Sequence, residues 1–172
     1  MGLMTRWKNR ILASLGSRYP AFARWLSSGY DPLSLEETPW APVDFRVSEA
    51  RLALVTTAGV HHRSQKPFDM NDPDGDPEFR EINGAAIADD YTITHDYYDH
   101  RDADRDLNVV FPLERLRAMV QAGVVGGVTG LHYSFMGHID GRHIDTLVRQ
   151  TAPDVAKRLQ RAGADAVLFT PG

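Results

Sequence analysis

Seven histidines occur in this 172-residue chain, and all of them fall between His61 and His143 in three polar segments that also hold most of the candidate carboxylates. The first, TTAGVHHRSQKPFDMNDPDGDPEF (56–79), carries His61, His62, Arg63, Lys66 and Asp69 and then a run of Asp-Pro and Asp-Gly turns. Asp, Pro and Gly favour turns through side-chain bonding, fixed φ and tolerance of positive φ, so everything after Met70 reads as a solvated loop. His61 and His62 stand closer to the preceding apolar run, where a ligand or catalytic role is open. The second segment, THDYYDHRDADRD (94–106), places His95, Asp96, Asp99, His100 and Asp102 within a few residues. Imidazole and carboxylate together can bind Zn²⁺ or Fe²⁺, or a carboxylate can orient a histidine for acid–base work. The spacing matches no compact metal motif, and we assign no metal. The third segment, LHYSFMGHIDGRH (131–143), sets His132, Ser134, His138, Asp140 and His143 around Gly137 and Gly141. Ser134 is flanked by Tyr133 and Phe135, so it does not sit in a Gly-x-Ser-x-Gly nucleophile elbow.

Such side chains need a frame. Arg51–Thr57 is an apolar run closed by Ala58-Gly59 and reads as a buried strand; 91–94 and 108–111 are shorter strand candidates. Pro112 suits the start of a helix over Leu113, Leu116, Met119 and Val120, ending at Gly123. A second helix spans about 142–161, with Pro153 kinking or dividing it and Gly163 closing it. The chain then enters Asp165-Ala166-Val167-Leu168-Phe169, a strand read as covered on both faces, and the turn Thr170-Pro171-Gly172. Strands alternating with helices predict an α/β domain with a largely parallel sheet and flanking helices, Rossmann-like and incomplete at its C-terminus. In such sheets ligands gather at the carboxyl ends of the strands. The runs 51–57 and 165–169 are therefore expected side by side, with the chain cut at its active-site turn and Val167 or Phe169 left exposed.

The first 30 residues are different in kind. They carry five basic residues and no acid, which leaves −9 on the remainder of a chain whose net charge is −4. Trp7, Ile11, Leu15, Tyr19, Phe22 and Leu26 recur at helical spacing, broken at Pro20. We read 1–30 as an amphipathic helical segment packed on the domain or a partner subunit, with a membrane-surface helix or a transit peptide as the other readings. Residues 31–42 form a linker that lays Trp40 and Pro42 against the domain proper, 43–172. No apolar run approaches the roughly 20 residues of a membrane span, so membrane contact is not expected. The acidic balance gives no nucleic-acid signal, and the lack of cysteine fits a cytoplasmic protein and excludes a Cys nucleophile or disulfide within these residues.

Five blocks in order, ALVTTAGVHH, ITHDYYDH, DLNVVFPLERL, YSFMGHIDG and TAPDVAKRLQRAGADAVLFTPG, resemble the selenoprotein B family of glycine, sarcosine, betaine and D-proline reductases. The similarity covers roughly residues 40–172, and the lead-in WAPV is closer to the D-proline reductase branch. The resemblance implies an oxidoreductase for reductive cleavage of an amino acid or related amine. It also implies a redox selenocysteine or cysteine immediately after Gly172, so that the 172-residue chain alone is expected to be inactive. A pyruvoyl-bearing partner subunit and a thiol electron donor complete the implied machinery. Thr170, Pro171 and Gly172 match the turn that presents the redox residue. Our own reading of the residues adds Thr57, Gly59, His61, His62, His95, Asp96 and His138 as site-lining candidates. The alternative is a non-redox module, a metal-dependent hydrolase or a ligand-binding domain, using the same His/Asp cleft.

Overall fold

A computed structural model describes residues 3–28, 40–85 and 87–172. Strand β1 (Arg51–Thr56) is its axis. Alternate side chains of a strand point to opposite faces, and β1 buries both. Leu54, with Leu52 beside it, joins Val60, Ile82, Phe111, Leu113 and Leu116 in one core. Ala53 and Val55 join Tyr133, Phe135, Val155 and Leu159 in another. Helix α3 (Leu113–Gln121) contributes to the first core and α5 (Ala152–Arg161) to the second, so the two helical connections lie on opposite faces.

The sheet follows from those connections. Strands β5 (Gly127–Val128) and β6 (Leu131–Ser134) pair in parallel with β1 in succession, matching Leu52 to Val128 and Val55 to Tyr133. Strand β7 (Ala166–Thr170) also pairs in parallel with β1, in register from Leu52↔Ala166 to Thr56↔Thr170. This places the carboxyl ends of β1 and β7 side by side, as the sequence implied. The chain therefore passes from β1 to β5/β6 over one face and on to β7 over the other, doubling back about β1. That is the topological switch of doubly wound α/β folds. Strand β3 (Arg80–Asn83) closes the far side, antiparallel to β6. Strands β2 (Val60–His62) and β4 (Tyr91–Ile93) form a separate antiparallel pair.

Several expectations need correction. Residues 108–111 are not a strand: a 3-10 turn runs from Leu107 to Val109, with the Asp106 carboxylate accepting the Asn108 N–H at 3.0 Å. An Asp cap and the following Pro112 outweigh the β propensity of two valines, which is a weak preference. The strand at 91–93 exists but lies outside the parallel sheet. Strands β2, β3 and β6 fall in or beside segments that looked like polar loops, because their polar side chains find partners inside the protein. The long helix is continuous but changes winding. A helical turn at His143–Thr146 (α4) leads into a π-helical stretch, Leu147–Thr151, before α5. Pro153 lacks an N–H and crowds the carbonyl one turn earlier, and a widened turn absorbs that misfit instead of a break. Trp40 is 85 % exposed and does not pack on the domain. The linker reading otherwise rests on 31–39, which lie outside the described residues.

The N-terminal segment forms α1 (Leu3–Arg18) and α2 (Pro20–Ser27), with Pro20 in the first turn of α2, where its missing N–H costs nothing. No helix among the described residues is long and apolar enough to cross a membrane. On β7, Phe169 is 69 % exposed and Leu168 39 %, while Val167 is half-buried and packs on the α5 core.

Candidate active site

The carboxyl ends of β1, β6 and β7 converge on one edge, and the backbone there is tied strand to strand. Phe135 N–H donates to Thr56 O at 2.8 Å, Gly59 N–H to Phe135 O at 2.9 Å and Thr57 N–H to Thr170 O at 3.0 Å. Beneath them the Thr56 and Thr170 hydroxyls both donate to Val110 O, at 3.0 and 2.6 Å, which locks the two strand ends to the loop before α3. The turn Thr170-Pro171-Gly172 then carries the Gly172 N–H to within 3.3 Å of Thr57 Oγ1. A side chain on Gly172 would meet Ala58 Cα at 2.5 Å, so only glycine can lie this close.

Two further glycines admit the neighbouring loops. Gly59 adopts φ +71°, and a Cβ there would strike Thr94 O at 2.4 Å; Gly137 adopts φ +91°, and a Cβ there would strike Thr57 O at 2.3 Å and His95 Nε2 at 3.3 Å. Both positive φ values and both close approaches demand glycine. The result is an edge floored by backbone, with His95 laid between the loops that follow β1 and β6. The Tyr97 N–H donates to His95 Nδ1 at 3.0 Å, which leaves the proton on Nε2, aimed at the Met136 backbone. Burial, reinforced by His100 and His138 nearby, pushes the His95 imidazole down to about 4. It is neutral at pH 7 and works as a hydrogen-bonded wedge. Asp96 is buried beside it, and its carboxylate takes Arg6 Nε of α1 at 2.5 Å.

The remaining candidates are placed elsewhere along the same side. His61 lies on β2, giving Nδ1–H to His62 O at 2.9 Å and accepting from the Thr94 hydroxyl at 2.8 Å through Nε2. Burial is the main cause that lowers its pKa. His62 is half-buried, edge-on to Tyr91 and bonded to Ser64. His138 stacks on Tyr97, ring centroids 4.0 Å apart, and its Nε2–H donates to Pro73 O at 2.9 Å. That bond fastens the acidic turns 72–76 to the loop after β6, helped by His143 on Asp72 at 3.0 Å. The bond from His143 holds the Asp72 carboxyl down at about 2, aided by the Asp74 N–H and Arg142. Ser134 is fully buried and its hydroxyl faces Phe135 O, with no histidine partner.

The structure thus brings Thr57, Gly59, His95, Thr170, Pro171 and Gly172 to one edge, with Asp96 adjoining it, and gives His61, His62 and His138 partners of their own. One contributor, Thr56, was not singled out from sequence. Gly137 was marked in the sequence as a glycine around which the polar groups gather, but its place just beyond a strand end was hidden, because Leu131–Ser134 was not read as a strand.

The fold is a doubly wound α/β domain whose strand ends at the switch point, where ligands gather in this class of fold, are cleared by glycine. The chain belongs to the family described as glycine/sarcosine/betaine reductase selenoprotein B, whose family model matches residues 32–172. It is 35 % identical over 133 residues to a D-proline reductase subunit gamma of Acetoanaerobium sticklandii, covering 77 % of this chain and 53 % of that protein. It is 28 % identical to a betaine reductase complex component B subunit beta of Peptoclostridium acidaminophilum (72 % of this chain, 28 % of that protein). A glycine reductase complex component B subunit gamma of Symbiobacterium thermophilum is 25 % identical (82 % and 33 %). The chain spans about half or less of the length of these relatives. No solved structure matches it.

Proposed function

We propose that the chain is the part of a selenoprotein-B-type reductase that presents the redox residue, a selenocysteine or cysteine directly following Gly172 in the full reading frame. The reaction class is reductive cleavage of an amino acid or related amine of the glycine, betaine, sarcosine or D-proline type. One observation carries the reading: the register of β7 on β1 brings the Gly172 N–H onto Thr57 Oγ1 at the glycine-cleared edge.

The edge fits such a residue. Gly172 is pressed against Ala58, next to Gly59, while Gly137 brings its loop onto Thr57 O, so the turn before the proposed residue lies against glycine-cleared backbone with the His95 ring beside it. A selenolate or thiolate there supplies the nucleophilic redox chemistry. Thr57 uses a lone pair on Gly172 and retains its own O–H for donation to an anion. His95 stays neutral and fixes the two loops. On this reading the chain works with a pyruvoyl-bearing partner subunit and a thiol donor. The hydrolase alternative has no comparable support. Among the described residues no group of three or more His, Cys, Asp or Glu is placed to hold a metal ion, and Ser134 is buried.

The test has two arms. The gene should continue in frame past the Gly172 codon through a recoded TGA or a cysteine codon; a plain stop with no coding sequence after it refutes the proposal. The protein extended by Cys and its natural downstream sequence should alkylate with a midpoint below the ordinary thiol value of about 8.5, and Thr57→Val should raise it. A thiol titrating at the ordinary value in both proteins overturns the role given to Thr57 and the edge.

A further inference from the structure

The helical hairpin α1–α2 meets the domain with its polar side. Arg6 and Arg10 reach the buried Asp96 carboxylate at 2.5 and 3.4 Å, and Asn9 bonds the Tyr97 side chain. A helix resting on a domain ordinarily turns its apolar stripe inward. Here the stripe faces out: Trp7 is 70 % exposed, Ile11 43 % and Leu15 39 %, at i, i+4, i+8 on one side of α1. Trp25 of α2, stacked on Phe22, is 69 % exposed. At 3.6 residues per turn Lys8 and Arg18 fall in the same sector as the stripe. The segment thus meets the domain by the opposite face from the one its apolar spacing implied. The hairpin also precedes the residues that the family model matches, so the stripe belongs to no surface within that matched region.

We infer that the hairpin is a docking device for an anionic lipid surface. Charge decides the occupant. The first 30 residues hold no acid, and with Arg6 and Arg10 held by Asp96 the basic groups beside the stripe are Lys8 and Arg18, so two stripes laid face to face repel and a second hairpin is a poor cover. The rest of the chain, at −9, would be held off such a surface, which leaves the hairpin as the contact. Indole rings lodge at the boundary between headgroups and acyl chains, and Lys and Arg beside them take the phosphates. With Arg6, Asn9 and Arg10 committed to the domain, burial of the stripe leaves the domain standing above the lipid.

The experiment uses the whole chain with vesicles of phosphatidylcholine alone or mixed equally with phosphatidylglycerol. Co-sedimentation should occur with the mixed vesicles, fall by at least about tenfold between low and high salt as screening shortens the reach of the charges, and be near background with the neutral ones. Trp7→Ser/Ile11→Ser/Leu15→Ser should abolish it. These side chains are outside the cores, so melting of the domain should not move; Lys8→Glu/Arg18→Glu should abolish it with the stripe intact. Equal binding to neutral vesicles, no binding to either, or light scattering showing a dimer that the triple variant dissolves would each overturn the proposal. Binding only to an acidic protein would do the same.

Discussion

His132 and His95 invite comparison, because burial alone does not separate them. Both are buried, both accept a backbone N–H through Nδ1 at 3.0 Å, and burial pushes both imidazoles down to about 4. His132 sits inside the sheet on β6, takes the Leu54 N–H of β1, and lies edge-on to Phe111. His95 sits at the carboxyl edge, between backbone segments that only glycine lets approach. A perturbed histidine is thus a marker of low dielectric, and only its place in the topology tells structural from functional use.

The inside of the sheet should be the more costly to disturb. His132→Ala leaves the buried Leu54 N–H unpaired and opens a cavity beside Phe111, a loss of about 4 kcal/mol by the usual cost of core truncation plus an orphaned donor. Urea denaturation should show that loss, whereas His132→Asn, which keeps an acceptor, should recover part of it. At the edge the matching change is Gly137→Ala. Its Cβ would sit 2.3 Å from Thr57 O at φ +91°, so about 3 kcal/mol is expected from strain and clash. Gly123→Ala, also at positive φ but with nothing within 4 Å, should cost only about 1 kcal/mol. Equal losses at the two glycines would remove the argument that the edge is built on close backbone approach.

Acid should act on both histidines with the same sign. Each is depressed in the folded state, so the unfolded chain binds the proton first. The stabilisation is fully present above the unfolded value of about 6.5 and is lost as pH falls toward 4. Between pH 7 and 5 this amounts to about 2 kcal/mol for each histidine. His132→Asn and His95→Asn should each flatten the pH dependence of unfolding by that order. If only His132→Asn does, His95 is already open to water at the edge, and the comparison sharpens in favour of an accessible site.

What could be read from sequence divides along the same line. The axis of the fold was legible because β1, α3, the long helix and β7 advertise themselves by apolar runs and by Gly and Pro at their ends. Gly123 and Gly163, at φ +72° each, close their helices as glycine there predicts. The strands β2 and β6 were hidden because His61, His132 and Ser134 look solvent-bound, yet each spends its polarity on an internal partner or on none: His132 Nε2 is buried without one. Residues 108–111 misled in the other direction, apolar enough for a strand but capped into a turn by Asp106. At the site, Thr57, Gly59 and the final turn were legible as strand ends. The wedge role of His95 was not, since it depends on a glycine 42 positions away.

The smallest expected effect concerns Asp96, the neighbour that ties the edge to the hairpin. Its carboxylate is only 3 % exposed, and Arg6 and Arg10 are its cationic partners, themselves 45 % and 58 % exposed. Screening by water weakens such pairs, so Asp96→Asn should cost the whole chain about 1 kcal/mol or less. The effect should instead be local. Without the charge, α1 loses its anchor, and backbone amides of 3–28 should exchange faster while those of β1 and β6 do not change. Arg6→Gln should cost more than Asp96→Asn, because it leaves a buried carboxylate with one distant partner, whereas the amide removes the charge and the need for it together. High salt should narrow the gap between them. Should Asp96→Asn loosen β1 and the Gly137 loop as much as the hairpin, Asp96 is part of the edge itself, and the boundary between matched domain and hairpin must be redrawn through it.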